Sequence, residues 1–359
     1  MTECPPGAHY LPAPLSPDGA VPRILREMGV LTGVGSGGVP AFARARDAEW
    51  TALDRLLWPA DYACRDDFGA RSAQTSAWAG IWYFSARQDG EGHRSEGYLT
   101  WPEGNAHLMR HLARAAGEAR LSTRMLVHEV SPDATGVTVH ALDAKTGAPR
   151  AFRARHAVLC TPRFVTARLL PRQLGWAPGT SQFAYSPWVV ANVHVPRPPR
   201  SRGFPLCWDN ALYESQSLGY VVATHQRTMA DDSGPTVLTW YHALAYGGPV
   251  EERSRALALS YDEWEELVMG DLLRAHPGLV ASRIEVQRWG HAMIRPRPGF
   301  LWSSERVNGA RSPWANVHLA HSELSGVAML EDAIHHGVTA AESALAALRG
   351  VPPESWIAR

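Results

Sequence analysis

The stretch from residue 104 to residue 162 constrains the fold most, because its hydrophobic period changes from that of a helix to that of strands. "GNAHLMRHLARAAGEA" places Leu108, Leu112 and Ala116 on one stripe, which predicts an amphipathic helix over 104–119. The segments "RLSTRMLVHEVSP", "GVTVHALDA" and "RAFRARHAVLCTP" then alternate with period two, and "KTGAP" forms a turn between the last two. The pattern predicts a helix that leads into a β-meander whose last strand enters a core.

Further helices and strands are predicted on both sides of this stretch. Apolar residues at helical spacing predict helices over 20–31, 48–58, 76–87 and 262–276, and the third of these is expected to be buried. Apolar runs between turns predict strands at "WVVANVHV", "LGYVVATHQ", "TVLTWYHAL", "RIEVQRWGHA" and "WANVHLAH". Helices mixed with meanders predict a mixed α/β or α+β class with an interleaved sheet domain.

The charge balance and the hydropathy pattern argue against some classes of binding partner and against a membrane span. The 359 residues carry 35 basic and 35 acidic side chains, which argues against a nucleic-acid-binding face. No apolar run approaches the roughly 18 residues that a membrane span needs. The start, "MTECPPGAHYLP", has neither a basic nor an apolar targeting region, so the expected location is the cytoplasm.

Two motif-like patterns favour plain structural interpretations. Gly33, Gly35 and Gly38 match G-x-G-x-x-G literally, but the stretches on both sides look helical, so we interpret them as a flexible turn rather than a dinucleotide loop. Glu103 and His107, with His111 one turn later, have metal-ligand spacing on the 104–119 helix. No further ligand of suitable spacing accompanies them, which favours a solvated polar face, and no metal site is predicted.

The segment "CRDDFG" contains three consecutive charged residues, Arg65, Asp66 and Asp67. Paired carboxylates can perform acid–base or metal chemistry, and they can equally cap the chain before Gly69. Neither H-E-x-x-H nor G-x-S-x-G occurs, so the sequence supports neither a zinc protease of that type nor an α/β-hydrolase.

The C-terminal region combines a short apolar strand, a polar turn and a helix rich in small residues. "WANVHLAH" leads into "SELSG", and the helix of "AMLEDAIHHGVTAAESAL" follows. Small side chains allow another backbone, or a large flat group, to come close.

Taken together, these segments resemble the flavin amine oxidase superfamily, in particular a bacterial branch of FAD-dependent oxidoreductases. "YLTWPEGNAHLMRHLA" is similar to the family's turn into a helix, and "VHLAHSELSGVAMLEDAIHHGVTAAESAL" to its C-terminal FAD segment. "PPGAHYLPAP", "ADYACRDDFGARSAQTSAWAGIWYFSAR" and "IRPRPGFLW" extend the resemblance over nearly the whole chain. The resemblance implies a Rossmann-like FAD/NAD(P)-binding domain interleaved with a substrate domain of mixed sheet and helices. Its implied segments are 1–97 (flavin-facing turn and helical part of the substrate domain), 98–165 (FAD-binding segment with the meander), 166–292 (substrate domain) and 293–359 (C-terminal FAD-binding segment).

The resemblance also implies FAD as the cofactor. Carried over position by position, it places a main-chain contact to adenine at Val127 and a ribityl-binding carboxylate at Glu323. The start of the last helix would offer free N–H groups and a partial positive charge to the N1–C2=O edge of reduced flavin. The implied cofactor-binding residues are Gly7, Ala8, Val127, Thr161, Pro162, Ser322, Glu323, Met329 and Leu330.

The sequence departs from the family pattern in two respects. The strand–GxGxxG–helix unit that holds the ADP half of FAD is expected before Gly7, and it does not occur there. This favours a truncated or mis-started member, and leaves open a non-catalytic remnant that cannot hold FAD by itself. Lys145, the single lysine, lies in the meander turn and cannot act as the family's flavin-side lysine, and Met329 replaces a cage aromatic. Amine oxidation as such is therefore not supported.

The function that the resemblance implies is hydride transfer from a small organic substrate to flavin N5, with electrons passed to oxygen or another acceptor. Weak catalytic candidates, each with a structural role as the alternative, are Asp66, Asp67, Tyr83, Trp302 and His321. The expected partners are a small-molecule substrate and an unidentified electron acceptor, with no nucleic acid and no membrane span. An oligomer, or a partner that covers the place of the missing unit, is a further expectation. Besides the oxidoreductase and the non-catalytic remnant, a third interpretation is a sheet-based binding module without a cofactor.

Overall fold

The computed structural model describes residues 10–14, 16–35, 40–42, 49–52, 60–85, 97–170, 182–200, 206–212, 214–223, 234–312 and 314–357. The described helices are α1 (Ala20–Glu27), α2 (Ala60–Phe68), α3 (Ala77–Ser85), α4 (Ala106–Ala116), α5 (Arg163–Leu169), α6 (Pro249–Ala258), α7 (Tyr261–Ala275), α8 (Ser304–Gly309) and α9 (Leu330–Arg349). The described strands are β1 (Tyr10–Pro12), β2 (Leu31–Val34), β3 (Pro40–Phe42), β4 (Glu49–Ala52), β5 (Gly97–Thr100), β6 (Met125–Asp133), β7 (Gly136–Asp143), β8 (Pro149–Ala154), β9 (Ala157–Leu159), β10 (Tyr185–Val195), β11 (Asp209–Asn210), β12 (Gly219–Val222), β13 (Thr236–Ala243), β14 (Arg283–Ile294) and β15 (Val317–Leu319).

The chain divides into two compact units, each assembled from separated segments. The first unit comprises residues 1–17, 25–111 and 185–295, and the second comprises 18–24, 112–184 and 296–359. The mixed α/β class predicted from the sequence is confirmed. The segment boundaries after residues 97, 165 and 292 stay predictions.

The first unit is built around an antiparallel sheet with the described strand order β11-β12-β13-β10-β14. The internal strand β10 is buried along almost its whole length, as expected for a strand covered on both faces. On one face it packs against Trp264, Val268 and Leu272, which recur every four residues along α7. A capping box between Ser260 and Glu263 starts this helix, which confirms the helix predicted over 262–276.

The other face of that sheet meets α2. Tyr62 of this helix lies in a cluster with Leu218 and Ala243, and its hydroxyl donates a hydrogen bond of 2.6 Å to the Leu218 carbonyl. A buried tyrosine hydroxyl needs such a partner, so the contact fixes α2 on the sheet.

The second unit contains the predicted meander and a parallel strand pair. Strands β6, β7 and β8 form an antiparallel sheet, which confirms the meander. Val130 and Val137 on its inner face pack against Leu159 of β9 and Val317 of β15. Strands β9 and β15 run parallel and pair Val317 with Ala157 and Leu319 with Leu159. The meander therefore covers one side of a parallel pair whose strands end at the same edge.

Two sequence predictions were wrong in part. The helix predicted over 48–58 is absent at Glu49–Ala52, which forms β4 and pairs antiparallel with β5. Long-range strand pairing overrides local helical spacing there, and residues 53–59 lie outside the described range. The helix predicted over 76–87 is present as α3, but Trp78, Ile81 and Trp82 are more than half exposed. Apolar residues all round that helix suggested burial, yet among its residues with described side chains Ala79 alone is fully buried.

The first glycine of the literal G-x-G-x-x-G pattern lies in a strand. Helix α1 ends at Glu27, two residues before Gly29, whose φ of +73° is typical of a glycine that closes a helix. Gly33 lies in β2, which pairs antiparallel with β3, while Gly38 lies outside the described residues. A dinucleotide loop would lead from a strand into a helix, so the interpretation as a false match is confirmed, although the preceding element is a strand and not a helix.

None of the described helices is both long enough and apolar enough to cross a bilayer.

Candidate functional site

The strongest candidate site lies at the carboxyl edge of the parallel pair β9–β15. Thr161 and Pro162 follow the end of β9, and His321, Ser322 and Glu323 follow the end of β15. In sheets of parallel strands, ligands bind outside the carboxyl ends of the strands. The structure therefore brings together four of the predicted cofactor-binding residues and one predicted catalytic candidate.

Glu323 is the most deeply buried charged side chain of this edge, with 1% of its surface exposed. It lies in a 3-10 turn over Ser322–Leu324, and its Oε1 accepts a hydrogen bond from the backbone N–H of Arg163, the first residue of α5. A carboxylate at the N-terminus of a helix also interacts favourably with the free N–H groups there. Glu323 thus links the β15 turn to the helix that follows β9.

His321 supports the same turn. Its Nδ1 accepts a hydrogen bond of 3.3 Å from the backbone N–H of Glu323 and lies 3.8 Å from Glu323 Oε1. A ring nitrogen that accepts must be unprotonated, so Nε2 carries the proton of a neutral imidazole. Burial lowers the pKa of His321, which agrees with a neutral ring at pH 7.

Arg163, the first residue of α5, is buried at this edge. It is 5% exposed, it donates a hydrogen bond of 2.7 Å to the Gly309 carbonyl, and its guanidinium lies 5.0 Å from the centre of the Phe183 ring. Beside it is a small cavity with room for about one water molecule, about 10 Å³. The cavity is lined by Leu159, Thr161, Arg163, Thr166, Gly309, Leu319, Ala320, His321, Glu323 and Leu324.

Helix α9 begins next to this turn. Met329 is its N-cap residue and is 6% exposed, and its side chain makes no capping hydrogen bond. The first N–H groups of the helix therefore have no side-chain cap. His336, one turn into α9, lies 2.8 Å through Nε2 from Ser325 Oγ, which ties the helix to the turn before it.

Gly326 is required by the close packing of the turn before α9. Its φ is +87°, and a Cβ there would lie 2.7 Å from Leu301 Cδ2 and 3.1 Å from Arg306 Cδ. Gly326→Ala is expected to lower the free energy of unfolding by about 2 kcal/mol or more, because strain and overpacking add. Gly337→Ala, inside α9 with open space around it, is the matched control and should raise it by about 0.5–1 kcal/mol. Urea unfolding of both variants measures the difference, and equal effects of the two would contradict this account of Gly326.

The remaining predicted cofactor-binding residues are placed as follows. Val127 lies in β6, opposite Ala141, and packs against the core that contains Val130. Leu330 is the first residue of α9. Gly7 and Ala8 lie outside the described residues.

Trp302 and Tyr83, two further catalytic candidates, are described within their own units. Trp302, in the second unit, is 73% exposed in the turn before α8. Tyr83 of α3, in the first unit, is half-buried, and its ring meets Phe68 edge-on at 5.9 Å. These contacts are typical of surface and packing roles.

Asp66 and Asp67 belong to an acidic cluster in the first unit. Burial, repulsion by Asp67 and repulsion by Asp209 together raise the pKa of Asp66 well above its usual range, while Arg65 acts in the opposite direction. Burial also raises the pKa of Asp209, to about 7. A carboxyl group whose pKa is raised in this direction can hold a proton closer to neutral pH than a free aspartate, which is the property of a general acid. The two aspartates lie inside α2, so capping of the chain before Gly69 does not describe them.

Sequence inspection missed Asp209, and it also missed Arg163. Asp209 reaches the cluster through β11, more than 140 residues after Asp66, and no local motif surrounds it. The pair Glu103 and His107 forms a contact of 3.7 Å on a half-buried surface, and Arg110 also pairs with Glu103. Among the described residues, no three or more ligand-type side chains come together to hold a metal ion.

Comparisons with known proteins add the following. The model of the family described as flavin-containing amine oxidoreductase matches residues 27–345. Cyclohexylamine oxidase from Brevibacterium oxydans IH-35A is structurally similar, with a TM-score of 0.56 and 19% identity over 80% of this chain and 64% of that one. Wild-type putrescine oxidase bound to putrescine gives a TM-score of 0.55 and 15% identity over 80% of this chain and 64% of that one.

A putative protoporphyrinogen oxidase from Exiguobacterium sp. 255-15 gives a TM-score of 0.50 and 14% identity, over 74% of this chain and 58% of that one. The chain therefore spans less than two thirds of each of these solved structures. At these identities the likeness shows a shared fold. No curated protein matches the sequence.

Proposed function

Because the chain belongs to the flavin-containing amine oxidoreductase family, whose pattern covers residues 27–345, we propose that it is an FAD-dependent oxidoreductase acting on a small organic molecule. The observation that carries the proposal is the position of Glu323. It is a buried carboxylate at the carboxyl edge of a parallel strand pair, beside the uncapped start of α9.

The residues of this edge fit a flavin nucleotide in two respects. A ribityl chain offers several hydroxyl donors, and Glu323 offers a carboxylate that can accept from them. No side chain caps the first N–H groups of α9, so these groups can donate to an oxygen of the flavin. In a third respect this edge differs from an ordinary anion-binding helix start, because the first turn of α9 carries two acidic side chains, Glu331 and Asp332.

Each residue of the edge has a role in this proposal. When bound, the flavin would supply the capacity to take up a hydride from the substrate. Glu323 would orient the ligand through hydrogen bonds, and the Arg163 N–H would keep that carboxylate in place. His321 would hold the turn as a neutral acceptor. Thr161, whose Oγ1 lies 2.8 Å from Thr166 Oγ1, would fix the end of β9.

The oxidation of amines is not part of this proposal. Lys145 lies in the turn between β7 and β8, and no other lysine occurs in the sequence to approach a flavin. Met329 stands at the start of α9, where the family pattern implies an aromatic residue. Both departures favour a dehydrogenase, desaturase or oxidase of another small substrate.

The test is the visible absorption spectrum of the purified chain, before and after addition of FAD and desalting. We expect a flavin band that survives desalting, together with a higher melting temperature in FAD, since a ligand that binds only the folded state stabilises it. No retained flavin and no change in melting temperature would refute the proposal for this chain.

A further inference from the structure

Two histidine rings meet on the side of the parallel pair β9–β15 that faces away from the meander. Val317 and Leu319 of β15 pack with the meander core, so the side chain of His318 between them projects to the opposite side. His156 directly precedes β9, and its Nδ1 lies 3.1 Å from Nε2 of His318. Both rings are half-buried, and their centres are 5.3 Å apart. The fold thus brings together two imidazoles that are 162 residues apart in the chain.

The backbone of the strand pair holds these two rings in place. The Ala157 N–H donates to the Asn316 carbonyl, and the Ala320 N–H donates to the Leu159 carbonyl, each at 2.9 Å. These two hydrogen bonds fix the register of β9 against β15. Within the described part of the chain, neither of the two histidines makes another hydrogen bond or an ion pair. The two rings are therefore positioned by the strands and keep their nitrogens for each other.

The contact between the two nitrogens has the dimensions of a metal chelate. At least one of the nitrogens is unprotonated, because two N–H groups cannot hydrogen-bond to each other. Neutral imidazole nitrogen is a preferred ligand of zinc, nickel and copper ions. A metal about 2.0–2.1 Å from each nitrogen, with an angle of roughly 90–110° at the metal, holds the nitrogens about 2.9–3.4 Å apart. The observed 3.1 Å lies in this range, so a metal can replace the shared proton after a small rotation of the rings.

We propose that His156 and His318 form a chelating site for a divalent transition-metal ion of the zinc, nickel and copper group, with water molecules as the remaining ligands. A structural zinc site has four protein ligands, and no three ligand-type side chains come together among the described residues. The site is therefore an open one that exchanges its metal. A bound ion would bridge β9 and β15 and stabilise the parallel pair. This inference goes beyond the flavin function proposed above and does not rest on it.

The test is a calorimetric titration of the untagged full-length chain, freed of metal with EDTA, with zinc chloride. We expect one zinc ion per chain, and a melting temperature that rises with zinc and returns to its starting value in EDTA. His156→Gln and His318→Gln should each weaken zinc binding at least about tenfold, because a second ligand held in place raises the affinity through its effective concentration.

The matched control is His140→Gln. The ring of His140 also faces another histidine, His128, but the two ring centres are 6.3 Å apart. This pair is too widely spaced to share a metal in the observed geometry, so the control should change the zinc affinity less than about threefold.

Each outcome decides the question. A loss of affinity in both His156→Gln and His318→Gln, but not in the control, supports the chelate. Equal affinities in wild type and both variants, a loss in only one of them, an equal loss in the control, or no zinc binding by wild type would overturn it. Far-ultraviolet circular dichroism checks that the variants fold. If one does not, electron paramagnetic resonance of wild type loaded with one copper ion decides, since two nitrogen ligands support the chelate and fewer than two refute it.

Discussion

Glu323→Ala is expected to lower the free energy of unfolding by about 3–5 kcal/mol and to abolish flavin retention. The alanine removes a charge-assisted hydrogen bond to the Arg163 N–H and leaves that N–H buried, which costs about 1–3 kcal/mol. The substitution also creates a new cavity next to the existing one, which has a volume of about 10 Å³ and room for about one water molecule. A cavity in a packed interior lowers the free energy of unfolding further. Urea unfolding and absorption after desalting measure the two effects.

A second substitution separates stability from binding. Glu323→Gln keeps a carbonyl oxygen for the Arg163 N–H, so it should cost only about 1 kcal/mol of unfolding free energy. It removes the negative charge, however, and should still weaken flavin retention. Glu118→Ala, at an exposed position of the second unit, is the matched control and should change the unfolding free energy by less than about 0.5 kcal/mol. If Glu323→Ala behaves like Glu118→Ala, Glu323 does not hold this edge together.

The candidate edge could be predicted from the sequence because its signal is local. Strand, polar turn and small-residue helix follow one another within residues 314–345, and the resemblance to the flavin amine oxidase family then implied Ser322, Glu323 and Met329 as site residues. The Thr161–Pro162 step follows the partner strand β9, two residues after its last residue. What the order could not show is that the two strands run parallel and so bring both turns to the same edge.

Non-local contacts account for what sequence inspection missed. Arg163 is one of many arginines in the sequence, and its buried position depends on Gly309, 146 residues later, and on Phe183, 20 residues later, rather than on its neighbours in the chain. Glu49–Ala52 has helical spacing but pairs with β5, about 50 residues later. Helices such as α7, by contrast, have their cap and their apolar stripe within one short segment, which is why they were predicted correctly.

The acidic cluster of the first unit leads to a prediction about the pH dependence of stability. Burial raises the pKa of Asp209 from 3.8 to about 7 in the folded chain. In the unfolded chain Asp209 loses its proton near pH 4, while in the folded chain it keeps the proton up to about pH 7. The free energy of unfolding therefore falls as the pH rises from 4 to 7. One pKa unit corresponds to about 1.4 kcal/mol, which makes the full loss about 4 kcal/mol as an upper bound.

Asp209→Asn removes this proton linkage while keeping the size of the side chain. We expect the variant to be more stable than wild type by about 2–4 kcal/mol at pH 8 and by much less at pH 4, because at pH 4 the unfolded wild type still holds a large part of the proton that the folded state keeps. Urea unfolding at pH 4, 5, 6, 7 and 8 measures the two slopes, and Asp262→Asn, at an exposed position of the same unit, is the control. A stabilisation of this size would mean that the fold keeps a costly buried carboxyl for a reason other than stability, as general acids are kept. Parallel slopes in Asp209→Asn and wild type would show instead that the pKa of Asp209 is not raised in the folded chain.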